Sequence, residues 1–273
     1  MPVLVVDVHG HGKSTWNPDD YTAVQIADDL SALIEQVFDR PVVVAGHSSG
    51  GLIASLIAAR RSDLVSGVVI EDAPFFSTQP ERVPKTYVGI DGYPAALSFL
   101  AQDEERDWVC WYMPRSYWQR FFGPLWKVFT RSVVRQRRSD PSRLPVIRWV
   151  GVGMNRIWEA ISHPYDLRFT VGFTDNTWFE GFDQTQTLRS IRCPTVFLRA
   201  TTRHDRKGIL LAALSDGDLN RVESLLVDNR TERIRGPHDL HFARTKTYTR
   251  ALDRFAQRVR EGSGSARPAE REH

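Results

Sequence analysis

The chain lacks the features of a membrane-spanning or disulfide-stabilised protein. No stretch approaches eighteen consecutive apolar residues, which excludes a membrane-spanning helix. The apolar segment at residues 3–8 is too short for a signal peptide and contains an aspartate. The two cysteines, Cys110 and Cys193, are too few for a disulfide framework or a structural zinc site. These absences predict a cytoplasmic protein.

The 273 residues also lack a large excess of charge of one sign. The 36 Lys and Arg and 33 Asp and Glu give a net charge of +3, so we expect no nucleic-acid partner. Eight histidines are scattered without H-x-x-x-H or H-E-x-x-H spacing, and the glycine-rich segments match neither a phosphate-binding loop nor a dinucleotide fingerprint. The sequence therefore predicts no metal and no cofactor.

Short apolar runs alternate with helical patterns over the first 74 residues. Strands are predicted at Val3–Val8, Val42–Ala45 and Gly67–Asp72, because near-continuous apolar runs are typical of strands buried on both faces. Helices are predicted over residues 26–37 and Leu52–Arg60. This alternation indicates a mostly parallel sheet flanked by helices, in the α/β class.

The same pattern returns near the end of the chain. A strand is predicted at Cys193–Ala200, a short strand near Glu232–Ile234 and a closing amphipathic helix over Lys246–Val259. Residues 75–190 differ, with helical periodicity, interrupting prolines and seven of the eight tryptophans. We therefore assign 1–74 and 191–260 to an α/β core and 75–190 to an inserted, mostly helical cap. The polar tail 261–273 is predicted to be disordered.

Gly46-His47-Ser48-Ser49-Gly50 matches G-x-S-x-G. It lies between a predicted strand and a predicted helix, which is the setting that a nucleophile elbow requires. The turn would project the hydroxyl of Ser48 out of the sheet. The backbone N–H of Ser49, at the helix N-terminus, would stabilise an oxyanion.

A serine hydroxyl needs a base, and in this architecture the order along the chain is serine, acid, histidine. The loop after the last predicted strand offers His238 and His241. We favour His238, because it comes first after the strand in a Gly-Pro turn. For the acid we favour Asp205, which follows the strand ending near Ala200, and keep Asp72 as the alternative.

These motifs together resemble the α/β-hydrolase fold family. Asp7–Ser14 (DVHGHGKS) is similar to the family's D-x-x-G-H-G-x-S, and the GHSSG elbow, the strand before Asp205 and GPHDLHF follow in the family's order. The resemblance implies ester or related acyl hydrolysis through an acyl-enzyme on Ser48, with a small acyl substrate and no cofactor. It leaves open a carbon–carbon bond hydrolase with the same triad, or a catalytically impaired binding protein.

The chain departs from the family pattern at its start. In the family, three further strands and a His-Gly turn that donates the second oxyanion N–H precede the D-x-x-G-H-G-x-S segment. A misassigned start codon or a fragment is the favoured explanation, and a truncated paralogue is the alternative. One lost donor typically costs about 2.7–4 kcal/mol of transition-state stabilisation. We therefore expect the chain to be weakly active, or inactive through poor folding, with activity rising about a hundredfold or more when the upstream sequence is restored.

The cap segment Trp108–Trp126 is densely aromatic, and arginines follow it at Arg131, Arg135, Arg137 and Arg138. The pattern is compatible with internal packing under a solvated arginine face. It is also compatible with a roof over an acyl pocket or, less favoured, with contact at a membrane interface. The sequence does not predict the oligomeric state.

Overall fold

A computed structural model describes residues 3–264, except for the side chains of residues 152–154, 157, 263 and 264. The chain forms two compact units. One contains the residues up to Thr22 and Pro80–Glu180, and the other contains Ala23–Gln79 and the residues from Gly181 onward. Residues 3–22, which the sequence assigned to the core, therefore group with the helical segment.

The sheet contains four parallel strands in the order β1-β2-β3-β4. They are β1 (Val42–His47), β2 (Val65–Glu71), β3 (Thr195–Arg199) and β4 (Asn229–Arg233). Each lies at or within a few residues of a predicted strand, so the expected parallel sheet is confirmed. Because all four strands run in one direction, the loops that follow them meet at one edge of the sheet.

Helices flank the sheet, and helices also make up most of the regular structure of Pro80–Glu180. In chain order the helices of the described residues are α1 (Ala23–Val37), α2 (Ser49–Arg60), α3 (Tyr87–Ile90), α4 (Gly92–Leu100), α5 (Trp108–Tyr112), α6 (Gln119–Phe122), α7 (Pro124–Ser139), α8 (Val152–Ser162), α9 (Arg168–Thr174), α10 (Gln184–Ser190), α11 (Asp216–Leu225), α12 (Leu240–Ala243) and α13 (Thr245–Gly264). Short 3-10 turns lie at Pro18–Asp20, Val83–Lys85 and Thr177–Phe179.

The strand predicted at Val3–Val8 is wrong. These residues have no regular secondary structure, and Val3 and Val5 are 76% and 86% exposed. An apolar run becomes a strand only when a neighbouring strand pairs with its backbone. The segment ends instead in a polar turn. There the carboxylate of Asp7 accepts from the backbone N–H of Lys13, and the hydroxyl of Ser14 donates to the carbonyl of Asp7.

The core of the sheet-containing unit lies between the strands and the closing helix. Phe255 and Val259 of α13 pack with apolar side chains of β2 and β3. The helix approaches the sheet so closely that a Cβ on Gly67 would lie 2.8 Å from Val259 and 3.0 Å from Phe255. A larger residue at this position would require the side chain of Val259 or Phe255 to shift.

The helical unit has a separate aromatic core. Trp126, Phe129 and Val133 are buried on one face of α7 and pack with Trp158. The indole of Trp126 donates to the carbonyl of Met113 at 2.8 Å, so this large side chain is buried without an unmet polar atom. Internal packing therefore accounts for several of the aromatic residues of this helical unit.

The closing helix α13 extends further than predicted and ends at Gly264. The first residues of the tail, which was predicted to be disordered from Glu261, are therefore helical. Residues 265–273 of the predicted tail lie outside the described range. None of the helices in residues 3–264 combines the length and the apolar character needed to cross a bilayer.

Candidate active site

Ser48 occupies a strained turn between β1 and α2. Its φ of 54° and ψ of −124° are unusual for a residue with a side chain and are stabilised by the elements on both sides. The turn is tight, since a Cβ on Gly46 would lie only 2.0 Å from the carbonyl oxygen of Gly50. This is the local geometry that the G-x-S-x-G pattern predicts for an elbow.

Ser49 is the first residue of α2. Its backbone N–H therefore has no acceptor within the helix and lies at the positive end of the helix dipole. An N–H in this position is suited to bind a negatively charged oxygen next to the side chain of Ser48.

His238 and Asp72 form the best-defined polar contact of the site. Nδ1 of His238, in the loop after β4, lies 2.8 Å from Oδ2 of Asp72, which follows β2. Oδ1 of Asp72 accepts from Arg199 at 2.6 Å and from the backbone N–H of Ala200 at 3.1 Å. The ring thus donates from Nδ1, which leaves Nε2 as the basic nitrogen.

The electrostatics of this pair follow from burial and opposite charge. Burial raises the pKa of the fully buried Asp72, but the hydrogen bond and charge of His238 and the charge of Arg199 outweigh it and hold that pKa below its ordinary value. Burial lowers the pKa of His238, but the hydrogen bond and charge of Asp72 more than compensate, so that pKa lies above its ordinary value.

Asp205, the favoured acid in the sequence, lies elsewhere. Its carboxylate accepts from the backbone N–H groups of Lys207 at 2.7 Å and Ile209 at 2.9 Å within its own loop. The carboxylate that meets His238 belongs to Asp72, the alternative. Both residues follow strands that end at the same sheet edge, and only the path of the histidine loop distinguishes them.

Ser48 and His238 lie at the same edge of the sheet but do not form a hydrogen bond with each other. No hydrogen bond joins Oγ of Ser48 to His238 among the described residues. The ring of His238 lies 4.3 Å from the ring of His47, the residue before Ser48, measured between centroids. Catalytic contacts are often long in ligand-free enzymes and shorten in the substrate complex.

A second histidine–carboxylate pair lies beside the first, and the sequence patterns did not reveal it. Nδ1 of His241 lies 2.9 Å from Oε1 of Glu71, a carboxylate that is 1% exposed. Burial, followed by the charge of His238, lowers the pKa of His47 to about 4, so that ring is neutral. The sequence cue for this pair is Glu71, an acidic residue at the end of an otherwise apolar, buried strand.

Arg199 is another functional candidate that the motifs missed. Its guanidinium is 2% exposed and also donates to Thr202 and, at 2.6 Å, to the carbonyl of Leu214. A buried arginine at the end of a strand requires a buried anion nearby. That requirement was a cue for Asp72.

Comparison with known proteins places the chain in a family. Residues 2–244 match the family model described as the alpha/beta hydrolase family, which covers most of the 273 residues. The chain belongs to the alpha/beta hydrolase family. Its curated relatives include proteins named as a lipase, an esterase and a hydrolase.

Curated relatives match over parts of their length. The lipase LipV of Mycobacterium tuberculosis is 35% identical over 106 residues, which are 39% of this chain and 39% of that protein. The sn-1-specific diacylglycerol lipase ABHD11 of Mus musculus is 40% identical over 79 residues, 29% of this chain and 25% of that protein. The matched segments thus span about two fifths or less of these relatives.

Solved structures share the fold over most of the chain. An esterase from Exiguobacterium antarcticum superposes with a TM-score of 0.59 at 17% identity, covering 92% of this chain and 80% of that one. E-2-(acetamidomethylene)succinate hydrolase gives a TM-score of 0.58 at 16% identity, with 92% and 80% covered. At these identities the likeness concerns the fold alone.

Proposed function

We propose that the protein is a serine hydrolase in which Ser48 is the nucleophile, His238 the general base and Asp72 the residue that orients the histidine. The observation that carries the proposal is the 2.8 Å contact between Nδ1 of His238 and the buried carboxylate of Asp72 at the sheet edge where the elbow presents Ser48. A base held in one tautomer beside a strained serine turn is the arrangement that acyl transfer needs.

The reaction follows from these positions. On substrate binding, Oγ of Ser48 attacks the acyl carbon while Nε2 of His238 takes the hydroxyl proton. The N–H of Ser49 stabilises the resulting oxyanion. The imidazolium then protonates the departing oxygen as its bond to the acyl carbon breaks, so the alcohol leaves and an acyl-enzyme remains on Ser48. Nε2 of His238 next takes a proton from water, which attacks the acyl carbon. His238 returns this proton to Oγ of Ser48 as the acyl–Oγ bond breaks, and the carboxylic acid leaves.

The proposed substrate is a carboxylic ester or a related acyl compound of small or medium size. Several relatives are named as lipases or esterases, and these names support an ester before a carbon–carbon bond as the substrate. The triad itself would serve either reaction, since both proceed by attack of the serine on a carbonyl carbon.

A fluorophosphonate probe tests the nucleophile directly. Intact-protein mass spectrometry should show one adduct, mapped to Ser48 by peptide analysis, and the Ser48→Ala variant should show none. Ser49→Ala is the matched control, because it removes a neighbouring hydroxyl but keeps the backbone N–H. A folded wild-type sample that does not react would contradict the proposal and favour a binding protein, whereas an adduct on another residue would assign the nucleophile elsewhere.

Substrate panels test the reaction class. Short-chain p-nitrophenyl esters should be turned over faster than vinylogous 1,5-diketones, with activity lost in Ser48→Ala. The opposite preference would assign the site to carbon–carbon bond hydrolysis.

A further inference from the structure

Three side chains with metal-binding chemistry meet beside the elbow, and the proposed acyl transfer uses none of them. His47 ends β1 and Glu71 ends β2, and the two are register partners in the parallel ladder, so their side chains project from the same face. His241, at the start of α12, places Nδ1 2.9 Å and 3.0 Å from the two oxygens of Glu71. Their candidate ligand atoms all lie within 4.8 Å of one another.

One polar atom of this cluster has no partner among the described residues, although the Glu71 carboxylate accepts from the backbone N–H of His241 at 2.9 Å and contacts its ring. Nε2 of His47 is buried and has no hydrogen-bond partner in the described part of the chain. Oδ1 of Asp239 lies 3.6 Å from it, beyond hydrogen-bond distance. A buried ring nitrogen without a partner in the chain is unusual in folded proteins, and an ordered water or a metal ion can supply that partner.

We propose that His47, Glu71 and His241 bind one divalent transition-metal ion, and that Zn²⁺ fits the site best. Two imidazoles and one carboxylate form a donor set that zinc accepts, with a fourth position left for water or for Asp239. Imidazole nitrogens disfavour Mg²⁺ and Ca²⁺, which prefer oxygen ligands. The side chain of Glu71 is 1% exposed, and a metal ion would give its carboxylate oxygens a buried partner.

The geometry requires small movements. Tetrahedral ligands with bonds of about 2.1 Å lie about 3.4 Å apart. The His241–Glu71 pair, now at 2.9 Å, must therefore open slightly. The farthest pair of candidate atoms, at up to 4.8 Å, must approach by about 1.4 Å. Rotation of the partly exposed His47 and His241 side chains is the motion that brings the donors together.

Calorimetry and metal analysis test the site on untagged full-length protein stripped with a chelator. Zn²⁺ titrated into the wild type should bind at one ion per chain and remain after gel filtration, whereas Mg²⁺ should not compete. Glu71→Gln and His241→Gln should each weaken binding by a hundredfold or more, beyond the ten- to hundredfold effect typical of outer-shell changes. The exposed residues Glu81 and His163 give the matched controls Glu81→Gln and His163→Gln, which should bind as the wild type does.

A measurement on the wild type makes the test independent of variant folding. X-ray absorption at the zinc edge should show two imidazoles and carboxylate oxygen at about 2.0–2.2 Å. Absence of stoichiometric binding, an edge spectrum without two imidazoles, or equal affinity in folded Glu71→Gln protein would overturn the proposal. Ser48→Ala should bind Zn²⁺ unchanged, so this site and the proposed acyl transfer can fail separately.

Discussion

The ionised state of Asp72 depends on three neighbours that surround its buried carboxylate. Arg199 and the N–H of Ala200 meet one oxygen, and His238 meets the other. Removing one member of a buried charge pair leaves the other uncompensated, which is costly. The network therefore favours a charged Asp72 and a His238 that accepts a proton readily.

Replacement of Asp72 by Asn should reveal this coupling in the pH profile. In the wild type kcat/KM should rise with pH through an ionisation above the ordinary histidine pKa of about 6.5, because neutral His238 is the base. In Asp72→Asn the effect of burial dominates, so the pKa of His238 falls. The rise of the residual kcat/KM with pH should therefore occur at lower pH than in the wild type. The rate should drop by about 10³–10⁴-fold, as expected when the histidine loses its orienting carboxylate.

Asp205→Asn is the control for this prediction. Asp205 bonds to backbone N–H groups of its own loop, so we expect kcat/KM within about twofold of the wild type, as for a substitution outside the catalytic groups. Circular dichroism should verify that both variants fold. A larger loss in Asp205→Asn than in Asp72→Asn would assign the acid to Asp205.

At the scale of elements, the elbow depends on the closeness of β1 and α2. Gly46→Ala would place a Cβ 2.0 Å from the carbonyl oxygen of Gly50, a backbone atom that cannot rotate away. We expect the free energy of unfolding to fall by about 1–3 kcal/mol, which is typical of inserting atoms into a packed region. Thermal unfolding followed by circular dichroism should show a melting temperature lower by several degrees.

Gly50→Ala provides the matched comparison. A Cβ at that position meets nothing within 4 Å, and the residue is the second of α2. Alanine in a helix is favoured over glycine by about 0.5–1 kcal/mol. The melting temperature should therefore stay equal or rise, and an equal fall in both variants would argue against the steric account of Gly46.

At the scale of the whole molecule, the sheet-containing unit is held by the packing of α13 on β2 and β3. Phe255 is 4% exposed in that layer. Phe255→Ala should destabilise the fold by about 3–5 kcal/mol, since it removes a buried aromatic ring and leaves a cavity. Urea unfolding monitored by circular dichroism measures the change.

Val227→Ala is its control, because Val227 is 70% exposed. A surface substitution of this kind should change stability by less than about 0.5 kcal/mol. Similar midpoints for Phe255→Ala and Val227→Ala would show that α13 contributes little to the packing of the sheet.

Local patterns were sufficient for β1, β2 and β3, their parallel arrangement, α2, α13 and the tight turn at Ser48. Each rests on hydrophobic periodicity or on a turn with glycines, which neighbouring residues specify. The polar strand β4 overlaps its predicted strand only at Glu232 and Arg233. Val3–Val8 shows where such reasoning fails, because the same apolar pattern is exposed and irregular when no strand pairs with it.

The identity of the carboxylate beside His238 was decided in three dimensions. Asp72 and Asp205 each follow a strand of one parallel sheet, so sequence order alone could not choose between them. The course of the loop after β4 brings His238 to Asp72 and His241 to Glu71. Likewise, His47, Glu71 and His241 have no metal-ligand spacing along the chain. They meet because strands in register bring together residues that are far apart in sequence.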